Sequence, residues 1–366
     1  MSPDQRRRIP AWAEPAAELT TRGIATAHDI SAEIRRRRVE IRSRFRLAHA
    51  GGRDRPILIG PWFSEVGFEV LYWLPVLNRL LEQDRIDPAR ATVISRGGAR
   101  AWYADLATDY VELFDLFTPE ELKEWHHRRV AEHGGQKHMG MTALDEEILA
   151  RADGRIDPEA LIIHPSLMYN AFRYFWSWRT SPNRLAKNVS FRPLPDPGSD
   201  PQLDAALPGE YAAIKAYFSD SFPATDENRA FLRDLIERVA DQMPVVLLST
   251  GLEIDDHEEF AMAGAGRVID ARDWMTPHDN LTVQSRIIKR ASVLLTNYGG
   301  FSYLGPFLGV PSVCFYSNTK FNATHLVFMR GALPSLECRR FVSLHTGDFP
   351  LLADVLGSAT RLREAG

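Results

Sequence analysis

Residues 291–317, ASVLLTNYGGFSYLGPFLGVPSVCFYS, constrain the fold of this chain more than any other stretch. The pattern predicts a buried strand (292–296), a glycine turn (297–300), a short helix and a second buried strand (311–316). Apolar runs of this length bounded by turn residues suit parallel strands covered on both faces, and two of them joined by a helix make one βαβ unit. Gly299 and Gly300 let the main chain turn sharply and let a ligand approach bare backbone. Ser302 is a candidate N-cap, which would aim the following N–H groups at the turn and favour an anion such as a diphosphate. Pro306 then falls in the first turn, where its missing N–H costs nothing. Taken alone, an ordinary strand-to-helix connection explains these residues equally well, so the rest of the chain has to decide.

At 366 residues the chain is long for one core, and two α/β lobes are expected. A net charge of −4 gives no overall attraction to nucleic acid. Two cysteines, Cys314 and Cys338, make no disulfide framework, and a reducing cytoplasm fits them. The opening MSPDQRRRIPAWAEP has no apolar core for a secretory signal, and no apolar run is long enough to predict a membrane span. Residues 1–52 read as a basic helical extension: Ile30, Ile34, Ile41 and Phe45 recur at helical spacing among arginines, with Asp29 or Ser31 as cap and Gly51-Gly52 as stop. Such a helix is expected to pack its apolar stripe on the body, with peripheral contact to the inner face of a membrane as the alternative.

Strand and helix patterns alternate over 53–180, starting with strands at 56–59 and 92–95, then 110–114 and 161–164. Periodicity fails across 181–208, where prolines crowd, and this segment reads as a linker. A second alternation fills 209–366, with strands at 211–218, 245–248 and 267–269 ahead of the 292–316 unit and helices at 226–242 and 281–290. The expected architecture is two doubly wound lobes whose ligand lies in the cleft beyond the carboxyl ends of their strands. Four loops fall there: 60–67, 96–98, 249–256 and 297–302.

With these loops in place, the chain resembles glycosyltransferases of the GT-B class, two facing Rossmann-like lobes, nearest the heptosyltransferase-like branch. The family pattern is a strand ending in an acidic residue, a small-residue turn, Ser-His, an apolar helix and a proline-initiated strand. Here Asn297 takes the acidic position, Gly299 or Gly300 the turn, Ser302 the serine, Tyr303 the histidine position, Leu304 and Leu308 the helix, and Pro311 the next strand. The extra turn residue, the Asn and the Tyr depart from the pattern and leave the subfamily and sugar donor open. The resemblance implies a cytoplasmic enzyme moving a sugar from a nucleoside diphosphate, as co-substrate rather than cofactor, to a hydroxyl on a glycan or lipid-linked acceptor. Inversion is the expected outcome. It further implies that Asn297, Tyr298, Gly299, Gly300, Phe301 and Ser302 face the donor.

In such enzymes the first strand-to-helix loop carries the base or acceptor contacts, which makes Glu65 the candidate base and Glu69 the runner-up. A base must reach the acceptor hydroxyl on the face opposite the leaving diphosphate. Equally, Glu65 could merely charge the helix N-terminus, worth about 0.3–1 kcal/mol. Trp62, Ser64, Gly67 and Arg96 complete the expected acceptor side. Lys215 interrupts an apolar strand, where an unpaired ammonium is costly to bury. It would meet the donor diphosphate and stabilise the departing nucleotide, or else form a salt bridge at the strand end.

Thr250 and Gly251 follow a strand and are placed to touch phosphate or ribose. Thr282 and Gln284 are candidates for the nucleotide base, although capping would explain them too. Asp255, Asp256 and His257 look like metal ligands, yet no second histidine stands at a ligating offset and no Asp-x-Asp occurs. No metal is therefore expected on the diphosphate. The aromatic run Tyr169–Trp178 is expected in the core, with one or two rings at the cleft.

A hydrolase reading fails at Gly300-Phe-Ser-Tyr-Leu304, which lacks the last glycine of G-x-S-x-G. No P-loop or dinucleotide fingerprint is present. A nucleotide-sugar epimerase and a non-catalytic sugar-nucleotide-binding protein remain the alternatives.

Overall fold

The computed structural model describes residues 54–133, 138–252, 258–262, 266–319 and 323–349, and before them 38, 41–43, 45–46 and 49–52. The candidate ligands Asp255, Asp256 and His257 lie outside the described residues, as does most of the N-terminal extension. Within the described part of that extension, Ile41 and Phe45 stand exposed rather than packed on the body as expected.

Two all-parallel sheets organise the chain. In the first, β1 (Ile57–Ile59), β2 (Ala91–Ser95), β3 (Asp109–Glu112) and β4 (Leu161–Ile163) lie in the order β3-β2-β1-β4. In the second, β5 (Ala212–Lys215), β6 (Val245–Leu247), β7 (Val268–Asp270), β8 (Val293–Asn297), β9 (Ser312–Tyr316) and β10 (Phe341–His345) take the order β10-β9-β8-β5-β6-β7. Strand order reverses between β1 and β4 in one lobe and between β5 and β8 in the other, which gives two doubly wound, Rossmann-like halves. Ile57 pairs with both Ala91 and Leu161, and Ala212 with both Val245 and Val293, so the central strands are hydrogen-bonded on both sides. Such strands have no solvent face, which is why Ile57, Leu58 and Ile59 read as an unbroken apolar run.

Helix boundaries follow local chemistry. The helix Asp226–Gln242 starts where Thr225 accepts a bond from Asn228 N and where Asp226 and Glu227 meet the positive end of the dipole. The helix after β1 is mixed: α over Val66–Phe68, π over Glu69–Trp73 and α again over Leu74–Glu82. Leu74 N bonds the carbonyl of Glu69, five residues back, just before Pro75, which has no N–H to donate.

One apolar cluster runs through both lobes, from Trp73, Trp102 and Tyr169 to Ile287, Leu294 and Tyr303. The segment 181–208 is packed into it. Leu185, Leu203 and Leu207 are buried there, Ser190 N donates to Pro75 O (2.8 Å) and Leu194 N to Phe307 O (2.8 Å). Each leucine buried in this way stabilises by roughly 1.5–3 kcal/mol, so the segment straps the lobes together. Among the described residues no helix is long and apolar enough to cross a membrane.

Candidate functional site

The carboxyl ends of both sheets open on one cavity of about 880 Å³. Loops after β1, β2, β5, β6 and β8 line it, together with the helices Pro119–His133 and Asn280–Arg290. Glu65, Lys215 and Gly299 all face this one space, two from the second lobe and one from the first.

On the first lobe, Ser64, Glu65, Gly67 and Phe68 line the cavity. Glu65 is the N-cap residue of its helix but makes no capping hydrogen bond, so its carboxylate is not spent on that cap. Ser64 Oγ lies 2.8 Å from Tyr169 OH. Arg96 reaches the cavity while its guanidinium bonds Ser64 O and pairs with Glu69 (3.2 Å).

Two acceptor-side expectations are corrected. Trp62 is fully buried and stacks on Trp73 and Tyr169, because a ring of that size packs better behind the loop than over it. Glu69 is fully buried too, and accepts from Ser95 Oγ (3.0 Å), Tyr103 OH (2.6 Å) and Arg96. Burial pushes its carboxyl up, against the opposing pull of Arg96, Tyr103 and Ser95. No acceptor reaches it. Its role is to hold Arg96.

The turn Arg96-Gly-Gly98 does not offer its amides to a ligand. Gly97 N and Gly98 N donate to Glu112 at 2.9 and 2.8 Å. Their carbonyls face the other lobe instead, where Leu281 N meets Gly97 O (2.8 Å) and Thr282 Oγ1 bonds Gly98 O. Thr282 is therefore a tie between lobes and lies outside the cavity lining, where it was expected to meet the nucleotide. Gln284 does face the cavity: its Nε2 donates to Asn280 O (3.0 Å), while the buried Oε1 has no hydrogen-bond partner.

On the second lobe, Lys215 closes β5, buried to 5% exposure. Its ammonium pairs with Glu259, donates to Leu248 O (2.9 Å) and lies 5.1 Å from the Phe301 ring centre. The salt-bridge alternative describes it. Glu259 also accepts from Thr250 N (2.8 Å), Thr250 Oγ1 (3.0 Å) and Gly251 N (2.9 Å), so those groups are engaged by a carboxylate of the chain itself. Burial works to raise the Glu259 carboxyl, but Lys215 and the backbone donors win and hold it below the usual range.

In the 297–302 turn, Asn297 is buried and its Oδ1 accepts from Tyr217 N (3.0 Å), tying the end of β5 to the end of β8. It stands behind the cavity wall. Tyr298, Gly299, Gly300 and Phe301 line the cavity. Ser302 is no N-cap: it lies inside the 3₁₀ turn Gly300–Tyr303, and its buried hydroxyl donates to Gly299 O (2.6 Å). A Cβ at Gly300 would lie 2.6 Å from Gly67 N, and one at Gly67 would lie 2.5 Å from Gly300 Cα. The two loops thus touch backbone to backbone, which only glycine permits.

Sequence reasoning missed several residues at the cavity: His126, Arg129, Tyr217, Glu259 and His325. His126 and Arg129 stand at i,i+3 on a polar helix, a spacing that marks one face but no chemistry. His325 Nδ1 lies 2.7 Å from Tyr72 OH and edge-on to Phe68, a grouping drawn from distant parts of the chain. The aromatic run is core as expected, except for Trp178, which is 61% exposed.

The sequence matches no protein-family model, and no curated protein sequence matches it. Among solved structures the chain is similar to the glycosyl transferase family 9 protein of Veillonella parvula, at 13% identity and TM-score 0.41 over 83% of this chain and 89% of that one. It is similar to the ADP-heptose LPS heptosyltransferase II of E. coli, at 13% identity and TM-score 0.42 over 78% and 89%. It is also similar to the UDP-GlcNAc 2-epimerase of Methanocaldococcus jannaschii, at 11% identity and TM-score 0.37 over 82% and 90%. These are distant likenesses.

Proposed function

We propose that the chain is a GT-B-like glycosyltransferase that moves a sugar from a nucleoside diphosphate to an acceptor hydroxyl. The observation that carries this reading is the shared cavity: Glu65 from one lobe faces the Gly299–Phe301 backbone and Lys215 of the other. The opening N–H groups of a 3₁₀ turn have no intrahelical partners, and Arg96 supplies fixed positive charge nearby. The diphosphate lies between them. Thr250 and Gly251 hold Glu259 in place, and Lys215 acts on the leaving nucleotide only where the diphosphate draws its ammonium away from Glu259. Gln284 Oε1 accepts a hydrogen bond from the nucleotide. Glu65 deprotonates the acceptor hydroxyl on the opposite side, and the sugar transfers with inversion. The acceptor is a glycan or its lipid-linked precursor, met in the cytoplasm or at the inner membrane face, and the diphosphate needs no metal.

The test is release of nucleoside diphosphate from a panel of sugar nucleotides offered with simple glycoside acceptors. Acceptor-dependent release by the wild type that falls about 10²–10⁴-fold in Glu65→Gln, with donor affinity unchanged, supports the assignment. Equal rates in the two proteins would remove Glu65 as base. Conversion of the donor sugar without any acceptor would make the protein an epimerase.

A further inference from the structure

We propose that His138, Asp145 and His164 bind one divalent transition-metal ion of the zinc class, buried in the first lobe behind the cleft wall. The three residues come from different places: the segment after the helix Pro119–His133, the first turn of the helix Ala143–Arg151, and the end of β4. All are buried, and their candidate ligand atoms lie within 4.8 Å of one another. His138 Nδ1, Asp145 Oδ1 and His164 Nε2 each lack a hydrogen-bond partner. Within the group they meet only through long ion-pair contacts with Asp145, which a further ligand would improve on.

The outer atoms of each residue are engaged by neighbours. Thr142 N and Oγ1 both donate to Asp145 Oδ2, at 2.8 and 2.7 Å, which leaves Oδ1 bare. His138 Nε2 lies 2.7 Å from Phe63 O and also meets the Arg129 guanidinium, which leaves Nδ1 facing Asp145. His164 Nδ1 lies 2.8 Å from Ser166 Oγ. Ser166 N–H also faces that nitrogen at 3.1 Å, so the metal-free ring carries its proton on Nε2. Metal binding at Nε2 moves the proton to Nδ1, where Ser166 Oγ can accept it but the Ser166 N–H opposes it.

His138 Nδ1 is 3.8 Å from Asp145 Oδ1, and His164 Nε2 is 3.5 Å from Asp145 Oδ2. Ligand atoms around a tetrahedral ion with bonds of about 2.0–2.2 Å sit roughly 3.4 Å apart, so the three side chains, whose ligand atoms spread over as much as 4.8 Å, close in on binding. Two imidazoles and one carboxylate select a transition metal over magnesium or calcium. The guanidinium of Arg129 touches the far edge of the His138 ring and weakens cation affinity. None of the three ligands lines the cavity, so this ion is not a diphosphate clamp. Through Phe63 O it braces the loop that carries Glu65. The inference stands without the transferase reading.

Metal analysis of the purified full chain, expressed with zinc, manganese, iron and cobalt in the medium, is the test. About one equivalent of a transition metal per chain is expected. His164→Ala and His138→Gln should lower it at least tenfold, while His278→Ala, a half-exposed histidine elsewhere, keeps it. EDTA-treated wild type should take up cobalt with the visible absorption of a four-coordinate nitrogen–oxygen site and regain thermal stability with zinc. Trace metal only, with no cobalt uptake, overturns the proposal. Unchanged metal in soluble His164→Ala and His138→Gln also overturns it. Should both variants fail to fold, the stoichiometry and cobalt spectrum of the wild type decide.

Discussion

Glu65 and Glu69 stand four residues apart and meet opposite fates. Glu65 remains at the cavity, and Glu69 disappears into a network with Ser95, Arg96 and Tyr103. Nothing local separates them, because the partners of Glu69 come from 26 to 34 residues further on. The pairing of Lys215 with Glu259 spans 44 residues and was equally hidden. That pair gives a pH signature. Folded Glu259 holds its proton less tightly than an unfolded glutamate, so the unfolded chain takes up more protons as pH falls. Its stabilising contribution is whole above the ordinary value of 4.5 and is lost as pH drops through the lowered one. Melting temperature against pH should therefore fall less steeply on the acid side in Glu259→Gln than in wild type. That variant should also be less stable at neutral pH, with Lys215 left unpaired; parallel curves would refute the coupling. Gln284→Met should leave stability within about 1 kcal/mol and weaken nucleotide binding roughly tenfold. Unchanged affinity on titration calorimetry would take Gln284 out of the donor site.

At the level of elements, the contact between the Gly67 and Gly300 loops sets how closely the lobes approach. Gly300→Ala forces a methyl against Gly67 N, at a cost of about 1–3 kcal/mol, and the loops separate. Thermal melts should show that loss together with weaker nucleotide binding. Gly331→Ala is the control, because a Cβ there meets nothing within 4 Å and a helical alanine gains about 0.5–1 kcal/mol. The helix 226–242 and the strands flanking the glycine turn were legible because caps, turn glycines and apolar runs are written locally. The helical role of Ser302 was misread for a related reason. A serine after a glycine turn has the composition of a cap, yet in the fold its hydroxyl turns back to Gly299 O. β10 and the helix Ala323–Ala332 were not anticipated at all; β10 is an edge strand, half-buried, without the apolar run that marks the centre of a sheet.

For the whole molecule, two sheets reversing order at their centres place both switch points on one cavity, and a common apolar core with the 181–208 strap keeps them there. The α/β alternation made the two-lobed plan readable. The depth of the shared core was not, since interlobe packing leaves no period in the sequence. The central claim is a nucleoside diphosphate held in that cavity, and binding measures it most directly. Melting temperature is read with UDP, GDP, ADP, CDP and dTDP, for the wild type and for Gly300→Ala. At least one nucleotide should stabilise the wild type, by about 2.7 kcal/mol at ~100 times its Kd, and much less the variant. No stabilisation by any of the five, or equal stabilisation of both proteins, would contradict the account.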